Sequence, residues 1–212
     1  MLQFLTSSIG KKLMMAVSGL VLSGFIIIHA LGNSTAYFGR GSYNSYSEHL
    51  HALGVLLPVF ETILALAFVF HVVTGIILFF ENRRAGQHEY AVARLNFSLF
   101  LSRTMPYTGV MILIFTVLHY LQLHTWPDEI PPADKVRAIL SSVWSASFYL
   151  LAVITVLMHI GHGFWSLFQS LGLSHEKYDV FVRRICLTAA AITGAILFGL
   201  PIYALIHKSF LL

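Results

Sequence analysis

The chain has 212 residues, of which 57% are hydrophobic and only 10% charged, with a formal net charge of +4 and a mean hydropathy of +0.78. Soluble domains carry about 25% charged residues, so a water-soluble globule is excluded, and the basic balance is not taken as a nucleic-acid surface because in such a chain the placement of charge says more than its sum. A single cysteine, Cys186, excludes an internal disulfide, an iron–sulfur cluster held within the chain and the C-x-x-C-H attachment of a c-type haem.

Five runs free of Asp, Glu, Lys and Arg follow one another: 13–39, 62–80, 104–127, 138–175 and 185–207. Even the shortest is long enough to span a membrane, since a helix of about 20 apolar residues crosses a hydrocarbon core of roughly 30 Å. In lipid the backbone must satisfy itself within helices. The runs do not alternate apolar with polar residues, so a β-barrel is excluded. The expected fold is an all-α integral membrane protein of five transmembrane helices, over 11–32, 56–81, 104–125, 140–170 and 182–207, forming one transmembrane domain across 1–212. Lys11 and Lys12 precede the first run as in a signal peptide, but the run is long and no clear small-residue cleavage site follows; it is read as a retained first helix.

Charge placement orients the bundle. With the N-terminus inside, the inner face collects Lys11, Lys12, Arg83, Arg84, Arg94, Arg103, Lys177, Arg183 and Arg184, and the outer face only Arg40, Lys135, Arg137 and Lys208. Nine against four follows the positive-inside bias, so the N-terminus is expected to be cytoplasmic. Residues 37–54 read as an outer loop rich in Gly, Ser, Tyr and His, and "WPDEIPPADK" (126–135) as a Pro-rich outer turn. The inner connection 81–103 mixes Tyr90, Leu95, Phe97 and Leu99 with Arg94 and Arg103, a composition suited to an interfacial helix. No separate soluble domain and no close internal repeat is evident.

Each of the first four segments carries a histidine deep in its apolar run: His29, His71, His119 and His159. Ionisable residues inside a membrane are costly and mark function. One such ring is as readily bonded to a neighbouring Ser or carbonyl; four, one per helix, argue otherwise. Depth sorts them into two levels. On the outward-running helices His29 follows Lys12, and His119 follows Arg103, by a separation of about 25 Å at a helical rise of about 1.5 Å per residue. On the inward-running helices His71 stands only roughly 18 Å before Arg83, and His159 is a long way past Arg137, which puts both toward the inner side. His29 therefore pairs with His119, and His71 with His159. Two neutral imidazoles on opposite sides of a flat macrocycle suit a bis-histidine haem, whose filled axial positions favour electron transfer over oxygen binding. Glycines near the ligands (Gly19, Gly24, Gly75, Gly109, Gly161, Gly163) would admit such a ring, although helix packing through small residues explains them too. Zinc wants a compact tetrahedral set, which two histidines at each of two depths do not supply. His162 lies one turn beyond His159 and points about 60° away at about 100° per residue, so only one of them faces a given macrocycle, and His159 is the expected ligand.

The segments "SSIGKKLMMAVSGLVLSGFIIIHALGN", "LPVFETILALAFVFHVVTGIIL", "SRTMPYTGVMILIFTVLHYLQ" and "HIGHGFWSLFQSLG" resemble the five-helix, dihaem cytochrome b subunit of succinate:quinone and quinol:fumarate oxidoreductases, the bacterial type with a single membrane-anchor chain. The resemblance implies two b haems, an outer one on His29 and His119 and an inner one on His71 and His159. It also implies a multi-pass location in the bacterial cytoplasmic (inner) membrane, with flavoprotein and iron–sulfur subunits docked on the cytoplasmic face. Electrons would pass between that cluster, the inner haem, the outer haem and a quinone, usually menaquinone in this type, so the chain would carry the quinone reaction of the enzyme and not its dicarboxylate chemistry. A higher oligomer of the complex is compatible with this. Candidate quinone-site residues near the outer haem are Glu48, His49, His51 and Glu61; Arg137 at the outer level, and Arg83, Arg84 and Arg103 at the inner one, are candidate partners of haem propionates. Some family members carry a glutamate just before the fourth histidine, where this chain reads Thr155, Val156, Leu157 and Met158, so no proton pathway through that glutamate is expected. The competing readings are a haem b anchor of another respiratory complex, such as a hydrogenase or formate dehydrogenase, and a haem-free histidine transporter. Against the transporter stand the two-level pairing and the lack of matched Gly/Pro breaks.

Overall fold

A computed structural model describes residues 3, 6–85, 97–173, 175, 177–207 and 210–211. Every regular element among them is helical: α1 (Ser8–Ser34), a 3-10 turn (Thr35–Phe38), α2 (Arg40–His51), α3 (Leu56–Ala85), α4 (Phe97–His124), α5 (Pro132–Leu140), α6 (Val143–Ser170) and α7 (Asp179–Ile206). Five of these, α1, α3, α4, α6 and α7, are long and apolar enough to cross a membrane. They match the five predicted segments to within a few residues at most ends. The exception is α4, which begins at Phe97; Phe97 and Leu99 open this long helix and do not form a separate interfacial one. Tyr90, Arg94 and Leu95 lie outside the described residues.

Both outer connections hold a helix where the sequence suggested irregular chain. Gly39, at φ +96°, lets the 3-10 turn break and α2 start afresh at Arg40. Pro131 is extended, and Pro132 stands at the first helical position of α5, where its missing N–H costs nothing. At the other end of the molecule, Ser7 caps α1 by accepting a hydrogen bond from the Gly10 N–H at 3.1 Å.

Helix α3 packs on α1, α4 packs on α6, and α7 closes against α6 and α1, while α3 and α4 meet only sparingly. The bundle is thus two helical pairs, α1/α3 and α4/α6, set side by side. Many of its buried positions are small, among them Ala16, Ala30, Ala146, Ala152 and Ala190. Large side chains such as Val69, Phe70, Val110 and Ile192 are exposed instead. Lipid is as apolar as leucine, so helices in a membrane gain by close packing through small residues and not by burying large ones. The two ends are tied by polar contacts. Lys11 pairs with Glu81 where α1 begins and α3 ends. Opposite, Arg40 of α2 meets Asp134 of α5 at 2.7 Å, and Asn44 accepts from the Ala133 N–H at 3.1 Å. Below these sits a small apolar cluster of Ala36, Ala133, Leu140, Leu200, Phe210 and Leu211.

Candidate functional site

The four deep histidines meet in two pairs that bridge the helical pairs. The ring of His29 (α1) stands 6.0 Å from that of His119 (α4), centre to centre, at 88°. The ring of His71 (α3) stands 6.2 Å from that of His159 (α6), at 68°. It is His159, not His162, that faces His71. The levels are about 16 Å apart along the axis, since Ser18 touches His71 and lies three turns before His29 on the same helix.

The hydrogen bonds around the rings favour one tautomer. Ser18 spends its one hydrogen on the Met14 carbonyl at 2.7 Å, so toward His71 Nδ1, 3.1 Å away, its oxygen only accepts. Thr108 donates to the Met105 carbonyl at 3.0 Å and accepts from His159 Nδ1 at 3.0 Å. Tyr149 donates to Gln122 Oε1 at 3.0 Å and accepts from His119 Nδ1 at 3.0 Å. With the hydroxyls donating in this way, all three rings carry the proton on Nδ1 and a lone pair on Nε2. Among the described residues no hydrogen bond reaches the Nε2 of His71, His119 or His159. His29 differs: its Nε2 lies 3.3 Å from the Asn33 amide nitrogen, which also donates to the His29 carbonyl at 2.9 Å. Asn33 Oδ1 in turn accepts from Tyr43 on α2 at 3.4 Å. Burial, then the neighbouring Tyr46, pushes the Tyr43 phenol up to about 12.

This arrangement fits a metal held between imidazoles. With metal–nitrogen bonds of about 2 Å and about 1.1 Å more from nitrogen to ring centre, two rings in line on one ion stand roughly 6.2 Å apart, close to both observed pairs. Ligating histidines in proteins donate their other N–H to a fixed acceptor, as three of the four do here. A haem needs only two protein ligands, because the porphyrin supplies the rest. Among the described residues no group of three or more His, Cys, Asp or Glu side chains comes together.

The remaining predicted residues are scattered. Glu48 and His51 lie on α2, where His51 is exposed and its Nδ1 bonds the Ser47 carbonyl at 2.7 Å, and His49 bonds the Ser45 carbonyl at 2.6 Å. Glu61 is exposed on the outer part of α3, and Arg83 at its inner end; Arg137 is half-buried on α5. Glu48, His51 and Glu61 line neither of the two hollows described among the helices. An outward-opening hollow of about 360 Å³ lies elsewhere, between α4, α5 and α6, lined by Gln122, Thr125, Trp126, Ile139, Ser142 and Ser145 among others. The Ser145 hydroxyl is buried there without a hydrogen-bond partner. Gln122 links this hollow through Tyr149 to His119.

Sequence reasoning missed Ser18, Thr108, Tyr149, Gln122 and Asn33. A signal for the first two exists. Helices α1 and α4 carry one spaced set, Ser18-Gly19, Phe25 and His29 against Thr108-Gly109, Phe115 and His119, with identical offsets along the chain. The structure uses the set alike in both: each Phe packs on the His one turn further on, with ring centres 5.3 and 5.4 Å apart. An internal repeat is thus present, at the level of site residues.

The chain matches no protein-family model and no solved structure. It is 26% identical over 182 residues to the succinate dehydrogenase cytochrome b558 subunit of Bacillus subtilis (strain 168), a match spanning 80% of this chain and 85% of that protein. The sequence resemblance and the five long apolar helices agree with this: the chain is a multi-pass membrane protein similar to a succinate dehydrogenase cytochrome b subunit.

Proposed function

We propose that this chain is the membrane-anchor cytochrome b subunit of a succinate:quinone or quinol:fumarate oxidoreductase, in the cytoplasmic membrane of a bacterium, carrying electrons between an iron–sulfur subunit and a quinone. One observation carries the reading: two histidine pairs, 6.0 and 6.2 Å between ring centres, bridging the helical pairs at two depths. His71 and His159 would hold the inner b haem, and His29 and His119 the outer one, with Asn33 turning aside from His29 Nε2 while keeping its bond to the His29 carbonyl. A haem held there would supply one-electron transfer.

The chain's own residues do the rest. Lys12, Arg83, Arg84, Lys177 and Arg184 are exposed at or near the inner helix ends, with Arg103 and Arg183 beside them, a basic face for flavoprotein and iron–sulfur partners; Arg83 is also within the set expected to meet inner propionates, and Arg137 the outer ones. Quinone carbonyls need hydrogen-bond donors, and the outer hollow offers the Gln122 amide together with the Ser142 and partnerless Ser145 hydroxyls. We therefore assign the quinone ring, menaquinone by family resemblance, to that hollow in preference to Glu48, His51 and Glu61.

The test is a reduced-minus-oxidised spectrum of the purified chain with haem quantified. Two b haems per chain are expected, and one in His71→Ala or His159→Ala. No haem in folded protein would overturn the reading. Gln122→Ala should slow quinone turnover with the spectrum unchanged; if Glu48→Gln or Glu61→Gln slows it and Gln122→Ala does not, the quinone belongs with the carboxylates.

A further inference from the structure

The inner pair is held in a way the repeat makes symmetric. Ser18 sits on α1 and bonds His71 of α3; Thr108 sits on α4 and bonds His159 of α6. In each case the next residue is a glycine whose missing side chain leaves room for the same ring, with the Cε1 atoms of His71 and His159 3.2 and 3.6 Å from where a Cβ would stand. Each Ser/Thr-Gly unit thus serves the neighbouring helix at the inner level, while the histidine three turns on serves the outer level.

We propose that Ser18 and Thr108 are positioning residues for the inner pair, each hydroxyl fixing the Nδ1–H tautomer of one ring, aiming its Nε2 at the ring opposite and raising that ring's electron donation. The proposal rests on the reading of His71 and His159 as axial ligands of a haem. A buried histidine with no metal to bind would need partners at both nitrogens. Here one nitrogen of each ring is bonded and the other is not. Both hydroxyls have spent their hydrogen on their own helix, on the Met14 and Met105 carbonyls, so acceptance from the ring is the one role left to them. An acceptor at Nδ1–H makes an imidazole a stronger ligand, which stabilises the oxidised iron and lowers the reduction potential, one of the protein's few levers on a haem. The two units are not equal: the glycine beside Ser18 crowds its ring more closely than the glycine beside Thr108 does.

The experiment is a spectroelectrochemical titration of both haems, with low-spin electron paramagnetic resonance, on detergent-purified wild type, Ser18→Ala, Thr108→Val and the conservative Ser18→Thr and Thr108→Ser. Thr108→Val should raise the midpoint of one haem, shift that haem's largest g value and weaken its retention about 10- to 100-fold, leaving the other haem as it was. Ser18→Ala should act on the same haem and in the same direction. Thr108→Ser should restore wild-type values. Unchanged potentials and g values in Thr108→Val, equal movement of both haems, or haem loss that Thr108→Ser shares would each overturn the positioning role. Absence of haem from the wild type would instead remove the reading on which it rests.

Discussion

Helix α1 crowds His71 on one side, and that crowding can be measured. A Cβ added at Gly19 would stand 3.2 Å from His71 Cε1, whereas one added at Gly109 would stand 3.6 Å from His159 Cε1. The second is an ordinary van der Waals contact. The first requires the ring to give by a few tenths of an ångström. The ring is not free to do so: its Nδ1 is bonded at 3.1 Å to Ser18, the residue beside the glycine. A shift of that size takes the bond to about 3.5 Å, where a side-chain hydrogen bond ends. Losing such a bond costs about 0.5–1.5 kcal/mol, which is roughly 2- to 12-fold in haem affinity at about 1.4 kcal/mol per decade. Helix propensity barely enters, because a helix in lipid persists when its neighbours separate. The assay is haem per chain of Gly19→Ala and Gly109→Ala in detergent under increasing free imidazole. Gly19→Ala should release one haem at the lower imidazole concentration, with Gly109→Ala close to wild type. Equal behaviour of the two variants, or earlier release from Gly109→Ala, would refute the reasoning.

Tyr149→Phe keeps the ring against Phe115, 5.2 Å between centres, but strips His119 Nδ1–H of its acceptor and Gln122 of its donor. A loss of about 1 kcal/mol is expected for such a bond in a membrane, read by detergent unfolding, together with a raised potential confined to the outer haem. At the outer surface, the Tyr43 phenol titrates at about 12 in the folded chain against an ordinary value of 10.0. The unfolded chain therefore loses this proton first, and stability present below pH 10 falls between pH 10 and 12; Tyr43→Phe should flatten that part of an alkaline melting series. The Arg40–Asp134 pair is 41% and 31% exposed, so Arg40→Ala should cost a few tenths of a kcal/mol, vanishing at high salt, with haem content unchanged. His162→Ala should keep both haems, since His159 is the ring opposite His71; loss of one would transfer the ligand role.

The five spans were legible because lipid leaves few options: a long apolar run without charge is a crossing helix whatever its neighbours do. Depth was legible for the same reason, a fixed helical rise of about 1.5 Å per residue counted from flanking bases. That count groups His29 with His119 and His71 with His159, and these are the rings that stand 6.0 and 6.2 Å apart. The outer connections were less legible. Composition marked 37–54 and 126–135 as polar and rich in Gly or Pro, yet Gly39 and Pro132 are the residues that start α2 and α5. A helix breaker and a helix starter look alike in sequence; only the backbone angle on each side separates them.

The hydroxyls around the rings were hidden by a different ambiguity. In an apolar helix a Ser or Thr without solvent returns its hydrogen to a carbonyl one turn back. Ser18, Thr62, Thr108, Thr125 and Thr155 all do so, and nothing about any one of them says whether its oxygen also accepts from elsewhere. Ser18 and Thr108 stand apart only when α1 and α4 are laid over each other, each followed by Gly and each at the same distance before a histidine. The physical consequence follows from the first bond. A hydroxyl whose hydrogen is committed to its own helix can only accept, so any imidazole that reaches it must present N–H there and its lone pair on the far side. The helix backbone at Met14 and Met105 thereby decides, through one oxygen each, which face of His71 and His159 is open to bind.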